Sequence, residues 1–357
     1  MINKNIYLTP GPTELYPFIN KYIQQAIDEK ILSINHRSNE YIEIQKKLDS
    51  NLRALMNIPQ THSIFFVSSA TECMDILIKS TVKENSFHFV NGAFAERFYN
   101  IAKENNKNAT ELKVEYGKGF ENVTLENNPE LIAFTQNETS TGVYINPDYI
   151  YNIKKLNPDS IIAVDIVTSA PYVNLDYSVI DASFFSVQKG FGLPAGLGVL
   201  IANEKVINKA KELKKAGIYT GSYHNILSLK ENHDKYQTTE TPNVLNIFLL
   251  EKVSASMLTK GIDLIRKNTD EVSNLVYNFF DEYKYKPFVT DKSLRSPTII
   301  VINTENSNSE IKSILKSNGI IVGSGYGKYK NEQIRISNFP GQGIENYTKL
   351  TNILSKF

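Results

Sequence analysis

Lys189 stands between an apolar run, Ala182-Ser183-Phe184-Phe185, and a turn-forming stretch, Gly190-Phe191-Gly192-Leu193-Pro194-Ala195-Gly196. That pattern puts its amine just past the end of a strand, in a loop suited to close backbone approach. Upstream, Ile161-Ile162-Ala163-Val164-Asp165 reads as a buried strand ending in a carboxylate. A lysine able to form an imine and an aspartate able to hold a pyridinium nitrogen are the two protein groups that pyridoxal 5'-phosphate chemistry needs. Each residue taken alone also fits a plain reading, a surface lysine in a turn and an Asp at a strand end.

Other residues could complete such a site. Ser68-Ser69-Ala70-Thr71-Glu72 follows the apolar run Ile64-Phe65-Phe66-Val67 and leads into a helical pattern. A helix N-terminus there offers donors to a phosphate, although an ordinary N-cap looks the same. Gln188 and Thr238 could add side-chain donors. Phe94, after a strand and the Gly92 turn, could stack on a coenzyme ring, with a core Phe as the rival reading. Thr139, in Asn137-Glu138-Thr139-Ser140, could hydrogen-bond a phenolic oxygen, or belong to a plain turn. His36, Arg37 and Arg335 are the candidates for anionic substrate groups. Arg335 lies between Ile334 and Ile336, which by alternation puts it on the face opposite two apolar residues, an exposed one. Val322-Gly323-Ser324-Gly325-Tyr326-Gly327 reads as a mobile loop bordering the substrate. His62, His88, His224 and His233 lack metal-ligand spacing, so no metal site is expected.

These residues need a scaffold. From about residue 63, apolar runs alternate with amphipathic stretches, which predicts an α/β fold around a mainly parallel sheet. Predicted strands cover 63–69, 87–91, 131–136, 161–165, 182–187 and 198–202, with helices at 71–82, 94–105, 148–156 and 204–215. Sites in such sheets gather beyond the carboxyl ends of the strands, where Asp165 and Lys189 both fall. After residue 244 two long helical patterns lead into a smaller α+β unit. With 357 residues, 41% hydrophobic and 22% charged, the chain has the composition of a globular protein of two domains. Lys+Arg 39 against Asp+Glu 38 leaves a net charge of +1, so no global field points to nucleic acid or an anionic membrane. No run approaches the roughly 18 apolar residues of a membrane span, and no signal core is present, so a cytoplasmic protein is expected. Cys73 is the single cysteine, which excludes an intrachain disulfide.

Together these residues resemble the class V aminotransferases of the fold-type I pyridoxal phosphate family, and within it the phosphoserine aminotransferase branch. The resemblance runs over nearly the whole chain. Its markers are Thr9-Pro10-Gly11-Pro12, Asn35-His36-Arg37-Ser38, Asn137-Glu138-Thr139, the Asp165 strand, Gln188-Lys189-Gly190, Gln237-Thr238 and Arg335. It implies a large domain over 17–254 with a seven-stranded mainly parallel sheet. The small α+β domain would combine 1–16 with 255–357. It further implies that Lys189 is the Schiff-base lysine and Asp165 the pyridinium partner. Phe94 would be the stacking aromatic, Thr139 and Gln188 coenzyme ligands, and Ser69, Ala70 and Thr71 the phosphate turn. Arg335 would hold the α-carboxylate, and His36 and Arg37 the distal group. A homodimer is implied as well, in which Gln237 and Thr238 reach the partner's coenzyme phosphate.

Two features depart from the branch. Ser69-Ala70-Thr71 replaces a Gly-Gly-Arg type turn, and Gly325-Tyr326-Gly327-Lys328-Tyr329-Lys330 replaces a His-Arg pair, so Lys328 or Lys330 would have to supply the missing cation. The expected reaction is transamination between glutamate and 3-phosphohydroxypyruvate, in serine biosynthesis. The alternatives are another class V aminotransferase with serine or alanine as donor and glyoxylate or pyruvate as acceptor, and a catalytically silent coenzyme-binding protein. A cysteine desulfurase would need a mobile nucleophilic Cys, a poor match for Cys73 at the start of a helix.

Overall fold

The computed structural model describes residues 5–125 and 128–357. A seven-stranded sheet runs in the order His62–Val67, Gly198–Asn203, Ala182–Ser186, Ile161–Asp165, Leu131–Thr135, Asn85–Val90, Asn108–Lys113. Gly198–Asn203 is antiparallel to both its neighbours, and the other pairings are parallel. The expected α/β fold with a mainly parallel sheet is therefore present.

The inner strands are apolar almost throughout because both faces of the sheet are covered. Phe66, Phe134, Ile162 and Phe185 pack with Leu48 and Leu52 of the helix Asn39–Met56 and Ile247 of Val244–Lys260. Their chain neighbours Phe65, Ala133, Ile161 and Phe184 pack on the other face. There they meet Leu77 of Ala70–Thr81, Phe98 of Ala93–Glu104 and Val206 of Glu204–Lys215. This is the two-residue period of a strand buried on both sides.

A second sheet has the order Ile6–Leu8, Ile320–Ser324, Gln333–Ser337, Ile299–Asn303. The first strand pairs parallel with the second, Ile6 opposite Ile320 and Leu8 opposite Val322. Leu8, Val276, Ile300, Ile334 and Ile336 form the core beneath it, closed by the helices Ile262–Glu282, Asn308–Ser317 and Ile344–Leu354. The N-terminal segment is thus tied to the C-terminal sheet and then crosses to the large one, where Tyr16 N donates to Gly192 O at 2.8 Å.

The stretch 322–327 differs from the loop expected. It continues a strand to Ser324, and Gly325 N donates to Gln333 O at 2.7 Å. It then turns through a 3-10 helix at Gly327–Tyr329. The glycines here serve a hydrogen-bonded hairpin. Among the described residues no helix is long and apolar enough to cross a membrane.

Candidate active site

The strands ending in Asp165 and Ser186 lie side by side and parallel, so their carboxyl ends open on one edge of the sheet. Asp165 is buried, and its Oδ1 accepts from Val167 N at 2.8 Å. Burial pushes its pKa up to about 7 against the pull of that hydrogen bond; the Glu138 charge adds to the rise and Lys189 opposes it. Lys189 is half-buried and donates from Nζ to Pro10 O at 2.8 Å. Burial, then the Arg335 charge, pull its pKa down to about 8, with Asp165 resisting. Amine and carboxylate are therefore near enough for each to feel the other.

Pro10 reaches Lys189 because the strand Ile6–Leu8 anchors the segment just before it. At Gly11 φ is +136°, and a Cβ there would lie 2.3 Å from Lys189 Nζ. Only glycine lets the chain lie on the lysine in this conformation. The N-terminal Thr9-Pro10-Gly11-Pro12 marker is thus part of the site's wall.

The Ser69 turn lies against the same edge. Ser69 caps the helix Ala70–Thr81 by accepting from Glu72 N, while Ser68 N and Oγ donate to Glu72 Oε2 at 2.7 and 2.6 Å. Ala70 was expected to offer its amide to a phosphate, but that amide donates to Ser186 Oγ at 2.9 Å. Ser186 lies three residues before Lys189 and meets the turn first. Thr71 is exposed at the mouth of the turn.

Arg335 does not face solvent. Ile334 and Ile336 fill the core beneath the four-stranded sheet, and Arg335 on the opposite face points to the Asn137–Ser140 segment. Its Nε donates to Ser324 O at 2.7 Å and its Nη1 to Thr139 O at 3.1 Å. The guanidinium lies 5.4 Å from the Tyr326 ring centre, and that ring lies 5.3 Å from Phe94. Thr139 Oγ1 is 3.1 Å from Thr168 Oγ1. Lys189, Asp165, Phe94, Thr139 and Arg335 therefore converge on one place.

A second group forms separately. Arg37 Nη1 donates to Gln237 Oε1 at 2.7 Å and to Asn232 Oδ1 at 3.1 Å. Thr238 is buried and donates to Glu240 O at 2.7 Å. Burial and the Arg37 charge pull the half-buried His36 below the usual imidazole range. Among the described residues no hydrogen bond joins this group directly to Lys189, Asp165 or Arg335. The link runs through His224, whose ring nitrogens bond Glu72 of the Ser69 turn and Glu240. Lys328 sits 5.8 and 5.0 Å from the ring centres of Tyr116 and Tyr329, on a cleft of about 910 Å³ that Tyr326 and Lys113 also line.

Sequence reasoning missed Tyr326 as a neighbour of Arg335, Glu138 as a buried charge, and His224 as a bridge. Pairing across the fold makes each of them visible, and no local spacing announces it. Cys73 is wholly buried, and burial pushes its thiol well up, which disqualifies it as a nucleophile.

The residues present fit pyridoxal phosphate. Burial draws the Lys189 amine toward its neutral form, and the hydrogen bond that Asp165 accepts from Val167 N engages its Oδ1. Gln188 Oε1 is buried without a hydrogen-bond partner among the described residues. Such acceptors suit a ring N–H and a polar ring substituent.

A family model described as aminotransferase class-V matches residues 9–329. The structure of a phosphoserine aminotransferase from Cytophaga hutchinsonii is 43% identical, with a TM-score of 0.97 over 99% of each chain. The phosphoserine aminotransferase of Rhodococcus opacus is 25% identical over 349 residues, 96% of this chain and 92% of that one. A pyridoxal phosphate-bound phosphoserine aminotransferase from Trichomonas vaginalis, 15% identical, shares the fold with a TM-score of 0.79 over 98% of this chain and 99% of that one.

Proposed function

The chain belongs to the class V aminotransferase family and is a pyridoxal phosphate-dependent aminotransferase; from that premise we propose that it moves the amino group between phosphoserine and 2-oxoglutarate. The observation that carries the substrate is the 43% identity over 99% of both chains to the Cytophaga hutchinsonii enzyme. Residues 17–254 would form the coenzyme domain, and 1–16 with 255–357 the small domain.

When bound, the coenzyme supplies the electron sink for the charge left on a substrate Cα that has lost its proton. Lys189 would hold the coenzyme covalently through Nζ. Its amine, with its pKa lowered to about 8, would be the group that takes the substrate Cα proton and returns one. Asp165 would accept from the ring N–H. Its own pKa, raised by burial to about 7, falls once a cation stands beside it, so carboxylate and ring cation stabilise each other. Phe94 and Thr139 would flank the ring, and Ser69, Thr71 and Gln188 would hold its polar substituents. Arg335, steadied by Ser324 O and the Tyr326 ring, pairs with the substrate α-carboxylate.

His36, Arg37, Gln237 and Thr238 would serve the site of a second subunit in a homodimer. Exposed apolar side chains flank them in sequence, Phe18, Ile27 and Leu32 before His36, and Tyr219 and Tyr223 before Gln237, which supports a face covered by a partner.

A second reading has an observation in its favour. Lys328 lies over tyrosine rings on the outer cleft, which leaves Arg37 and His36 to meet a distal phosphate. A donor without a phosphate, serine or alanine, would need no such cation. Steady-state rates with phosphoserine, serine and alanine separate the two. The proposal expects kcat/KM for phosphoserine to exceed that for serine by roughly a hundredfold or more, the scale of a desolvated charge-assisted contact. Equal values would overturn it.

A further inference from the structure

Glu138 precedes Thr139 in the chain, accepts from the Phe94 backbone and is wholly buried. Its Oε1 accepts from Ser140 N at 2.9 Å and Ser140 Oγ at 2.6 Å. Its Oε2 accepts from Phe94 N at 3.1 Å and Ala95 N at 3.0 Å. Those two amides open the helix Ala93–Glu104, which has Gly92 at its N-cap and no cap of its own. A third donor of that end, Ala93 N, is met by Ser140 Oγ at 2.9 Å. The helix is therefore capped by a turn 44 residues away in the chain. A Cβ on Gly92 would lie 2.3 Å from Glu138 Cγ, so only glycine admits the carboxylate.

Burial raises the Glu138 pKa against these bonds, yet the geometry favours the ionised form. Both oxygens already face N–H groups, and an added proton would meet another hydrogen. The helix dipole also favours a negative charge at this end. Glu138 and Ser140 thus take up the amides of Ala93, Phe94 and Ala95, which leaves none of these three for an anionic ligand. Glu138 also stands near both charged groups of the site, since its charge is felt by Asp165 and by Arg335.

We propose that Glu138 is a positioning residue of the coenzyme site: its carboxylate pins the Phe94 backbone to the Thr139–Ser140 turn, and so sets the spacing and tilt of the two groups that hold the coenzyme ring. This rests on the reading of Lys189 and Asp165 as the coenzyme site. In E138Q the amide NH2 must face backbone N–H donors on one side or the other, so the shape stays and the grip is lost.

The test uses holoenzyme of wild type and E138Q. The readouts are visible circular dichroism of the bound coenzyme per unit absorbance, the coenzyme Kd by equilibrium dialysis, and far-ultraviolet circular dichroism for the fold. The expected E138Q protein is folded and coloured, with dichroism per absorbance at most about half that of wild type and a Kd weaker by roughly tenfold. A folded E138Q with both values unchanged overturns the proposal. If E138Q does not fold, S140A decides, because it removes the hydroxyl link and leaves the carboxylate in place; a smaller loss of dichroism is expected, and none overturns the role. A wild-type chain with no visible coenzyme band overturns the coenzyme reading itself, and this role with it.

Discussion

A lysine that forms an imine, the role proposed for Lys189, has to lose its proton part of the time, and the surroundings of Lys189 favour this. With its pKa pulled from the ordinary 10.5 to about 8, the neutral fraction at pH 7 rises from roughly one in three thousand to roughly one in ten. Uptake of pyridoxal phosphate by the coenzyme-free chain should therefore speed up with pH and level off around a midpoint near 8. Stopped-flow absorbance gives that midpoint, and a value near 10 would contradict the burial argument. Arg335→Gln removes the second cause of the shift, so its midpoint should move upward. The position of Lys189 and Asp165 at the sheet edge was legible in the sequence, because one follows and the other ends an apolar run, and strands alternating with helices place such ends together. Pro10, Tyr326 and Glu138 were not, because their roles come from contacts with Lys189, Arg335 and Phe94 that lie 179, 9 and 44 residues away in the chain.

Between residue and molecule, the element that needs explaining is the helix Ala70–Thr81. Its first turn is joined to the 237–241 segment by His224, held between Glu72 and Glu240. Burial opposes charge on this imidazole, but the bonds to Glu240 and Glu72 prevail and push its pKa up to about 9. Glu72 is held down to about 2, burial again opposing and the bonds to His224 and Ser68 prevailing. A raised histidine pKa means that the clamp is fully present below the ordinary 6.5 and is lost as pH rises through 9. The Glu72 share is present above its ordinary value of 4.5 and is lost as pH falls toward 2. Glu240 is 31% exposed, so screening trims the total to on the order of 2 kcal/mol. Thermal unfolding followed between pH 7 and 10 should show a decline in Tm that H224Q, less stable at pH 7, lacks. Parallel curves would dismiss the clamp. The helix itself was legible from its Ser69 cap and apolar period, within a residue of its bounds. The edge strand Asn108–Lys113 was not, because one side of it has no neighbouring strand and its residues Asn-Ala-Thr-Glu-Leu-Lys lack an apolar run.

At the scale of the whole molecule, the two clusters of site residues pose the question of how many chains make one site. Lys189, Asp165, Phe94, Thr139 and Arg335 meet within one chain, whereas Arg37, Gln237 and Thr238 meet each other elsewhere on it. The proposed symmetric dimer would reconcile them, if its two-fold axis brought the second cluster of one chain to the first cluster of its partner. Complementation tests this directly. The variants Lys189→Ala and Gln237→Ala/Thr238→Ala should each be inactive or nearly so as pure dimers, the first without its amine and the second without its phosphate donors. In a mixed dimer one site carries both defects and the other carries neither. Dissociating and reassociating equal amounts makes half of the dimers mixed, so activity should recover to about a quarter of wild type. If each site is built from a single chain, no reassortment can produce an intact one, and the mixture will stay as inactive as its parents.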